Sequence, residues 1–487
     1  MLKRQICPHI KVVRTRGRDG RIRHAGVGRG VSIPVEQEQE IEQPVFVEQP
    51  MMQEDEDERI EGPKPELRIA SLGTKLTGYV PGPGEHHPNI QGWLDESGLK
   101  WLTRTSLSKV DPQILSAFTK RWHPETSSFH MSFGEMTVTL DDVSCLLHIP
   151  VRGIFYTPVP VSMEEAAALA TELLGVPYEV AYLETSRQRG GTFTQQWVYD
   201  CWQRNLHMYH IYDCAARAYL LLLVGCTILT DKSYTRVNAK WLPMFRDLST
   251  LNKFSWASAP LVCLYDNLND ASMFTTHALA GYPTLLQCWI HEYFPTLGRR
   301  GESIHRCDDM GYPRAMRWVY KQGKTKLPAY RPIMDALTPS DVIWRPFEGH
   351  RGSIPSDLIT CFSGYLCGCT VVPYLPERCL RQFGFVQYIP PPPHPAPSYT
   401  DIDSLWSGYH TSVDRILQFT RPVRFDAETT VDYLSWYYTV SHHILCRLHD
   451  GPHGAPPVPQ FVPAYAPPQD APAQDAPPAH APPSGEQ

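Results

Sequence analysis

Residues 122–153, WHPETSSFHMSFGEMTVTLDDVSCLLHIPVRG, hold the densest set of groups that could do chemistry: Glu125, His130, Glu135 and Asp141. Carboxylates beside an imidazole are the groups general acid–base catalysis uses, and Arg378 and Arg381 are candidate counter-charges far along the chain. A structural reading competes with this one. Asp141 and Asp142 have a sufficient task at a helix N-terminus, and Glu125 and Glu135 can pair with Arg121, or with Arg378 and Arg381. The structural reading takes the larger share. The candidate polar cluster is therefore Glu125, His130, Glu135, Arg378 and Arg381, with no residue assigned as catalytic.

Other constellations are weaker. Gly323-Lys324-Thr325 resembles the end of a phosphate-binding loop, but Trp318 stands where the earlier glycine is required and no strand precedes it. No G-x-S-x-G, H-E-x-x-H, G-x-G-x-x-G or C-x-x-C occurs, so the enzymes those motifs mark lose their support. Cys361, Cys367, Cys369 and Cys379 cluster in sequence without the paired C-x2-4-C knuckles that set tetrahedral zinc geometry. His207 and His210, with Cys214 beside them, could face one metal from a helix; near Trp202, Tyr209 and Tyr212 they read better as packed, hydrogen-bonded residues. No metal or cofactor is expected.

The elements that must position the cluster follow from local pattern. Alternation in Phe129-His130-Met131-Ser132-Phe133 and again in Met136-Thr137-Val138-Thr139 predicts a hairpin with its turn at Gly134-Glu135. Thr139 precedes Asp142 at capping-box spacing, Val143, Leu146 and Leu147 share a helical face, and Pro150 stops the helix. Before this stretch, Asp111-Pro112 opens a helix with Ile114, Leu115, Phe118 and Trp122 as its stripe. After it, Ser162 caps a helix that Gly175 ends, and two helices lie between Thr192 and Leu229, the second apolar on nearly all sides. Three further stripes are Val237, Trp241, Leu242, Phe245, Leu248; Trp256, Leu261, Leu264, Tyr265, Leu268; and Leu285, Leu286, Trp289, Ile290, Phe294. Residues 311–352 are rich in Pro and Gly, with Val342-Ile343-Trp344 as a short strand or buried anchor. A short helix is predicted over 373–384, and a last one over 430–448 with Val431, Leu434, Tyr438, Ile444, Leu445 and Leu448 inward.

Composition agrees with a large folded body carrying tails. The chain has 487 residues, 42% of them hydrophobic and 11% aromatic, enough to bury a sizeable core. Its net charge of -6 conceals an asymmetry: residues 1–34 carry +8, residues 35–61 carry -10, and residues 451–487 carry -3, which leaves about -1 for the rest. The body thus has no net electrostatic footprint for nucleic acid, and any such affinity falls to the arm of Arg14, Arg16, Arg18, Arg21 and Arg23. Arg16-Gly17-Arg18 is the core of a minor-groove hook without its flanking prolines, so a solvated basic tail or nuclear-import signal is the better reading. Residues 451–487 contain twelve prolines and eight alanines, which favours an extended tail over helix or sheet. The thirteen cysteines are expected as reduced, mostly buried thiols. The longest apolar run, 218–229, is too short to cross a bilayer and reads as a core helix. The expected fold class is mainly α. It comprises a single large helical domain over 92–450 with a small β-hairpin near 128–139, a disordered basic then acidic region over 1–91, and a disordered Pro/Ala-rich tail over 451–487.

The stretch RWHPETSSFHMSFGEMTVTLDDVSCLLHIPVRG closely resembles the signature of the plant mobile domain, the module of MAINTENANCE OF MERISTEMS-like proteins. LLLVGCTILTDKS, FSWASAPLVCLYDNLNDA with LLQCWIHEYFP, YLPERCLRQFGFVQYIP and VDYLSWYYTVSHHI resemble further blocks of that family in the same order, so the likeness covers about residues 95–448. Where the family usually has Gly, this chain has His148 and Ala257. The resemblance implies a nuclear protein without catalytic activity, linked to meristem maintenance, genome integrity, gene regulation and transposon silencing. The expected partners are nuclear proteins, a plant serine/threonine phosphatase among the candidates, with weak non-specific DNA binding through the N-terminal arm and no membrane association. Long relatives carry such a phosphatase, but its motifs G-D-x-H-G, G-D-x-x-D-R-G and G-N-H-E are missing here. The family is also called aminotransferase-like; no lysine here has the surroundings of a pyridoxal Schiff base. The alternatives are a transposon-encoded accessory protein with no host role and an enzyme of unknown type using the Glu125, His130, Glu135 and Arg381 region.

Overall fold

In the computed structural model the described residues are 14–16, 22–24, 67–69, 81–230, 232–233, 235–273, 276–297, 301–302, 311–321, 330–350, 363–408, 416–417 and 419–441. The chain divides into two units, 1–61 and 62–487. In the first, Arg14–Arg16 pairs antiparallel with Ile22–His24, so three of the five arm arginines lie on a short hairpin, while Arg18 and Arg21 lie outside the described residues.

The second unit is mainly helical, with small two- and three-stranded sheets between the helices. It begins before the expected boundary at 92: Leu67 is buried, Arg68–Ile69 pairs in parallel with Ala278–Leu279, and the first helix among the described residues is Pro88–Ser97. Helix Pro112–Thr119 starts where Asp111 accepts hydrogen bonds from the Gln113 and Ile114 amides. Helix Met163–Leu174 starts at a Ser162–Glu165 capping box and ends at Gly175 in the left-handed region, as its residue types predict. Helix Tyr212–Cys226 is the central one: twelve of its fifteen residues are buried, because its Ala, Leu and Val side chains leave no polar face.

Helices Ser258–Ser272 and Pro283–Tyr293 pack with it in one hydrophobic core that includes Trp256, Leu264, Trp289 and Phe294. Phe118, Phe129, Trp289 and Phe294 form an aromatic cluster with ring centroids 5.3 to 6.1 Å apart. This cluster ties the stretch of interest to the core, because Phe129 is a strand residue of that stretch. No helix among the described residues is long and apolar enough to cross a membrane.

Several elements differ from the sequence reading. The apolar stripe 237–248 is not one helix: Arg236–Asn238 pairs with Thr192–Thr194, and two 3-10 segments follow, Ala239–Phe245 and Leu248–Lys253, the first interrupted by Pro243. A hairpin, Gly364–Cys367 with Val371–Tyr374, stands where the sequence shows only the cluster of Cys361, Cys367, Cys369 and Cys379. The helix predicted over 373–384 resolves into two 3-10 turns, Pro376–Arg378 and Leu380–Phe383, closed by Gly384. The last described helix is Tyr433–Val440, and its phase is shifted from the expected one. Tyr433 and Tyr437 are buried, whereas Val431 and Tyr438 face solvent. Ile444, Leu445 and Leu448 lie outside the described residues. Val342-Ile343-Trp344 is a buried anchor rather than a strand, its outer residues buried and the Ile343 amide bonded to the Tyr293 carbonyl.

Candidate functional site

Residues 122–136 form a three-stranded antiparallel sheet, Trp122–His123, Ser128–Met131 and Gly134–Met136. Met131 pairs with Gly134, so the turn falls at Ser132-Phe133 and not at Gly134-Glu135. Gly134 has another task. Its φ of +128° is open to glycine, and a Cβ there would lie 2.1 Å from Arg381 Nη2 and 2.9 Å from the Tyr433 hydroxyl. The helix that follows, Leu140–Leu147, opens on the predicted Thr139–Asp142 capping box.

Glu135 is fully buried and is held by Arg378. Arg378 donates from Nε to Oε2 at 2.6 Å and from Nη2 to Oε1 at 2.7 Å, a bidentate pair, and Ser128 Oγ donates to Oε2 at 2.8 Å. Burial works against the Arg378 charge, but the hydrogen bonds and charge of Glu135 outweigh it, and the guanidinium is held above its ordinary pKa. Removing one member of such a pair leaves an uncompensated buried charge, a loss of about 3–5 kcal/mol.

Among the described residues Arg381, also fully buried, has no carboxylate in hydrogen-bond reach; its Nη1 donates to the Phe133 carbonyl at 2.9 Å, while Nε and Nη2 meet no hydrogen-bond partner there. The guanidinium lies 4.4 Å from the Trp344 ring centroid, 5.5 Å from that of Tyr433 and 5.9 Å from that of Phe133. Three aromatic faces thus take the place of an anion. Burial lowers its pKa, with Tyr433 the largest opposing influence.

The two 3-10 turns and the last helix complete the hairpin's unpaired polar groups. Gln382 accepts from the Thr137 amide and donates to the Thr137 carbonyl, both at 2.9 Å, as a neighbouring strand would. Tyr437 donates to the Met131 carbonyl at 2.8 Å, Tyr438 to the Ser132 carbonyl at 3.3 Å, and the Glu135 amide donates to the Tyr433 hydroxyl at 3.3 Å. Tyr265 donates to the Val138 carbonyl at 2.5 Å. An edge strand open to pairing is in this way closed by side chains.

Of the five cluster residues, the structure brings together Glu135, Arg378 and Arg381. Glu125 is exposed and pairs with His123, its Oε1 at 3.2 Å from Nδ1. His130 is buried, its ring stacked on His123 at 3.5 Å and edge-on to Tyr437. Arg121 pairs with Asp335 and donates to the His130 carbonyl at 3.3 Å rather than meeting either glutamate. Asp142 stays in its cap: it accepts from the Thr139 amide and hydroxyl at 2.6 and 2.7 Å and from the Tyr293 hydroxyl at 2.8 Å. Burial first, then the neighbouring Asp141 charge, raise its carboxyl pKa to about 7.

The metal candidates are not assembled. His207 belongs to a π-helical turn, Asn205–Tyr209, and His210 closes that turn in the left-handed region, so the two do not share a helical face with Cys214. Among the described residues no group of three or more His, Cys, Asp or Glu could hold a metal ion. Cys361 and Gly323-Lys324-Thr325 lie outside the described residues. Sequence reasoning missed Trp344, Gln382, Tyr433 and Tyr437 as members of this site. Its signal was present in the spacing of Arg378, Arg381 and Gln382, three polar residues placed three and four apart on one short segment.

The Plant mobile domain family model matches residues 98–438, which contain every group just described. The chain belongs to the plant mobile domain family. Curated relatives in Arabidopsis thaliana include Protein MAIN-LIKE 1, 32% identical over 61% of this chain and 58% of that protein, and Protein MAINTENANCE OF MERISTEMS, 31% identical over 61% and 62%. A Serine/threonine-protein phosphatase 7 long form homolog is 29% identical over 76% of this chain but only 29% of its own length. The chain therefore spans about three fifths or less of these relatives. No solved structure matches.

Proposed function

We propose that this plant mobile domain chain is a non-catalytic nuclear module that works through protein partners in meristem maintenance, gene regulation or transposon silencing. The observation that carries this reading is how the polar residues of the family stretch are spent. Glu135 is consumed by Arg378 and Ser128, and Arg381 by three rings and a backbone carbonyl. Charges so enclosed serve architecture, which leaves recognition to the outer surface.

The relatives named MAINTENANCE OF MERISTEMS and MAIN-LIKE 1 support the meristem assignment. The match to part of a phosphatase long form homolog supports a serine/threonine phosphatase as a partner in trans. The arginine arm adds weak, non-specific DNA affinity, whose salt dependence disappears on deletion of residues 1–34. Affinity purification from plant nuclei followed by mass spectrometry tests the whole reading. Recovery of a phosphatase or silencing factor is expected; recovery of nothing specific would favour a transposon-borne accessory protein instead.

A further inference from the structure

Residues 390–397 read Pro-Pro-Pro-Pro-His-Pro-Ala-Pro, and every residue from 391 to 400 is exposed. Proline fixes φ near about −65° and pushes the residue before it into the extended region, so the regular conformation open to this run is the polyproline II helix, with three residues per turn. The body grips the run at that period. Arg378 Nη1 donates to the Pro391 carbonyl at 3.4 Å, and the Tyr365 hydroxyl donates to the His394 carbonyl, three residues on. Carbonyls three apart share one edge of such a helix, so that edge is bound, and the carbonyls of Pro392, Pro393, Pro395 and Ala396 lie on the other two. Both ends are fixed as well: Pro390 is buried, and Ser398 caps helix Tyr399–Ser407, whose Ile402 and Trp406 are buried.

We infer that residues 390–397 are a preformed ligand for a partner protein that reads polyproline II with an aromatic groove. Modules of this kind seat prolines between aromatic rings and exploit a backbone already in the bound conformation. A segment held at two carbonyls and at both ends loses less conformational entropy on binding than a free peptide does. Pro392, Pro393 and Pro395 also border an open groove of about 690 Å³, whose other lining includes Leu405 and Phe419, 50% and 70% exposed, so a partner's rings have an apolar surface to enter.

Charge narrows the class of partner. Residues 382–400 contain no Asp, Glu, Lys or Arg, and the first charges beyond them are Asp401 and Asp403, both exposed. The complement is an aromatic groove with a basic rim, not one whose acidic residues await an arginine beside the prolines. The inference rests on the reading of the chain as a module that works through protein partners. It concerns one direct contact, however, so it can fail while nuclear partners are still recovered, and it can hold when none is.

The full chain would be titrated by fluorescence anisotropy against two labelled probes, a WW domain with a basic groove rim and an SH3 domain with an acidic one. The WW domain should bind, and the SH3 domain should bind at least about tenfold more weakly. Pro392→Ala combined with Pro395→Ala, both at exposed positions, should weaken WW binding about tenfold or more. Tyr365→Phe keeps every proline but releases one carbonyl, and should weaken binding about two- to threefold through lost preorganisation. Pro456→Ala combined with Pro457→Ala, in the Pro/Ala-rich region outside the described residues, should change nothing. No binding to the WW domain, a preference for the acidic SH3 groove, or binding that survives the 392/395 change and is lost with the 456/457 change overturns the inference.

Discussion

Arg378 and Arg381 sit one 3-10 turn apart, are buried against the same hairpin and share Tyr433 as a neighbour, yet their charges are accommodated by different means. Arg378 has a carboxylate in fork geometry; Arg381 has a carbonyl and three rings. In the first case hydrogen bonds and Coulomb attraction offset desolvation. In the second, ring quadrupoles and one hydrogen bond do so only in part, and the pKa falls instead of rising. An ion pair binds two segments by charge, and its loss leaves a charge behind. A caged cation binds by shape, and its neighbours tolerate an apolar replacement better than a truncated anion.

The largest effect expected from this contrast is at Glu135. Glu135→Ala strands the Arg378 guanidinium and should cost about 3–5 kcal/mol in denaturant unfolding. Gly134→Ala comes next. Its methyl group meets Arg381 Nη2 and the left-handed backbone resists it, so roughly 2–4 kcal/mol should be lost, seen as a lowered Tm. Arg381→Met fills the same cage without a charge. It gives up cation–π attraction but also a desolvation cost, so at most about 2 kcal/mol should be lost. If Arg381→Met proved more damaging than Glu135→Ala, the contrast between the two arginines would fail.

A pH series sharpens the same contrast at a third buried charge. The Asp142 carboxyl is raised to about 7 in the folded chain, against ~3.9 unfolded. The native state then binds the proton more tightly, so stability contributed by this group is present at low pH and falls as pH rises from about 4 to 7. Thermal melts of Asp142→Asn should lack that slope relative to the unmodified chain.

Much of this architecture can be read locally. The Thr139–Asp142 box, the Ser162 cap and the Asp111-Pro112 start each need only a few neighbouring residues, and each forms as read. What escaped depends on distant partners. Gly134 looks like a turn residue because glycine permits positive φ, but the conformation is demanded by Arg381, 247 positions on. Tyr433 and Tyr437, four apart on one helical face, are buried in place of Val431 and Tyr438 because their hydroxyls complete hairpin groups at Glu135 and Met131. The 364–374 hairpin is not legible because Gly364 and Gly368 interrupt its pattern and Pro373 reads as the start of a helix, although proline is admissible on the edge of a two-stranded sheet. Within the candidate cluster, Glu135 with Arg378 was legible as one of the charge pairings open to it. Glu125 and His130 were not separable from it, since which face of a short strand is buried is settled by what packs there.

A double-mutant cycle on Glu135 and Arg378 tests most directly whether the family stretch is a structural keystone. Unfolding free energies would be measured for Glu135→Gln, Arg378→Met and the pair, with Glu125→Ala as an exposed reference. The account predicts two costly single changes, a double variant less destabilised than their sum by about 2 kcal/mol or more, and a reference within about 0.5 kcal/mol of the unmodified chain. Additive single effects of the reference size, with partner capture lost all the same, would contradict it and make these residues a recognition site.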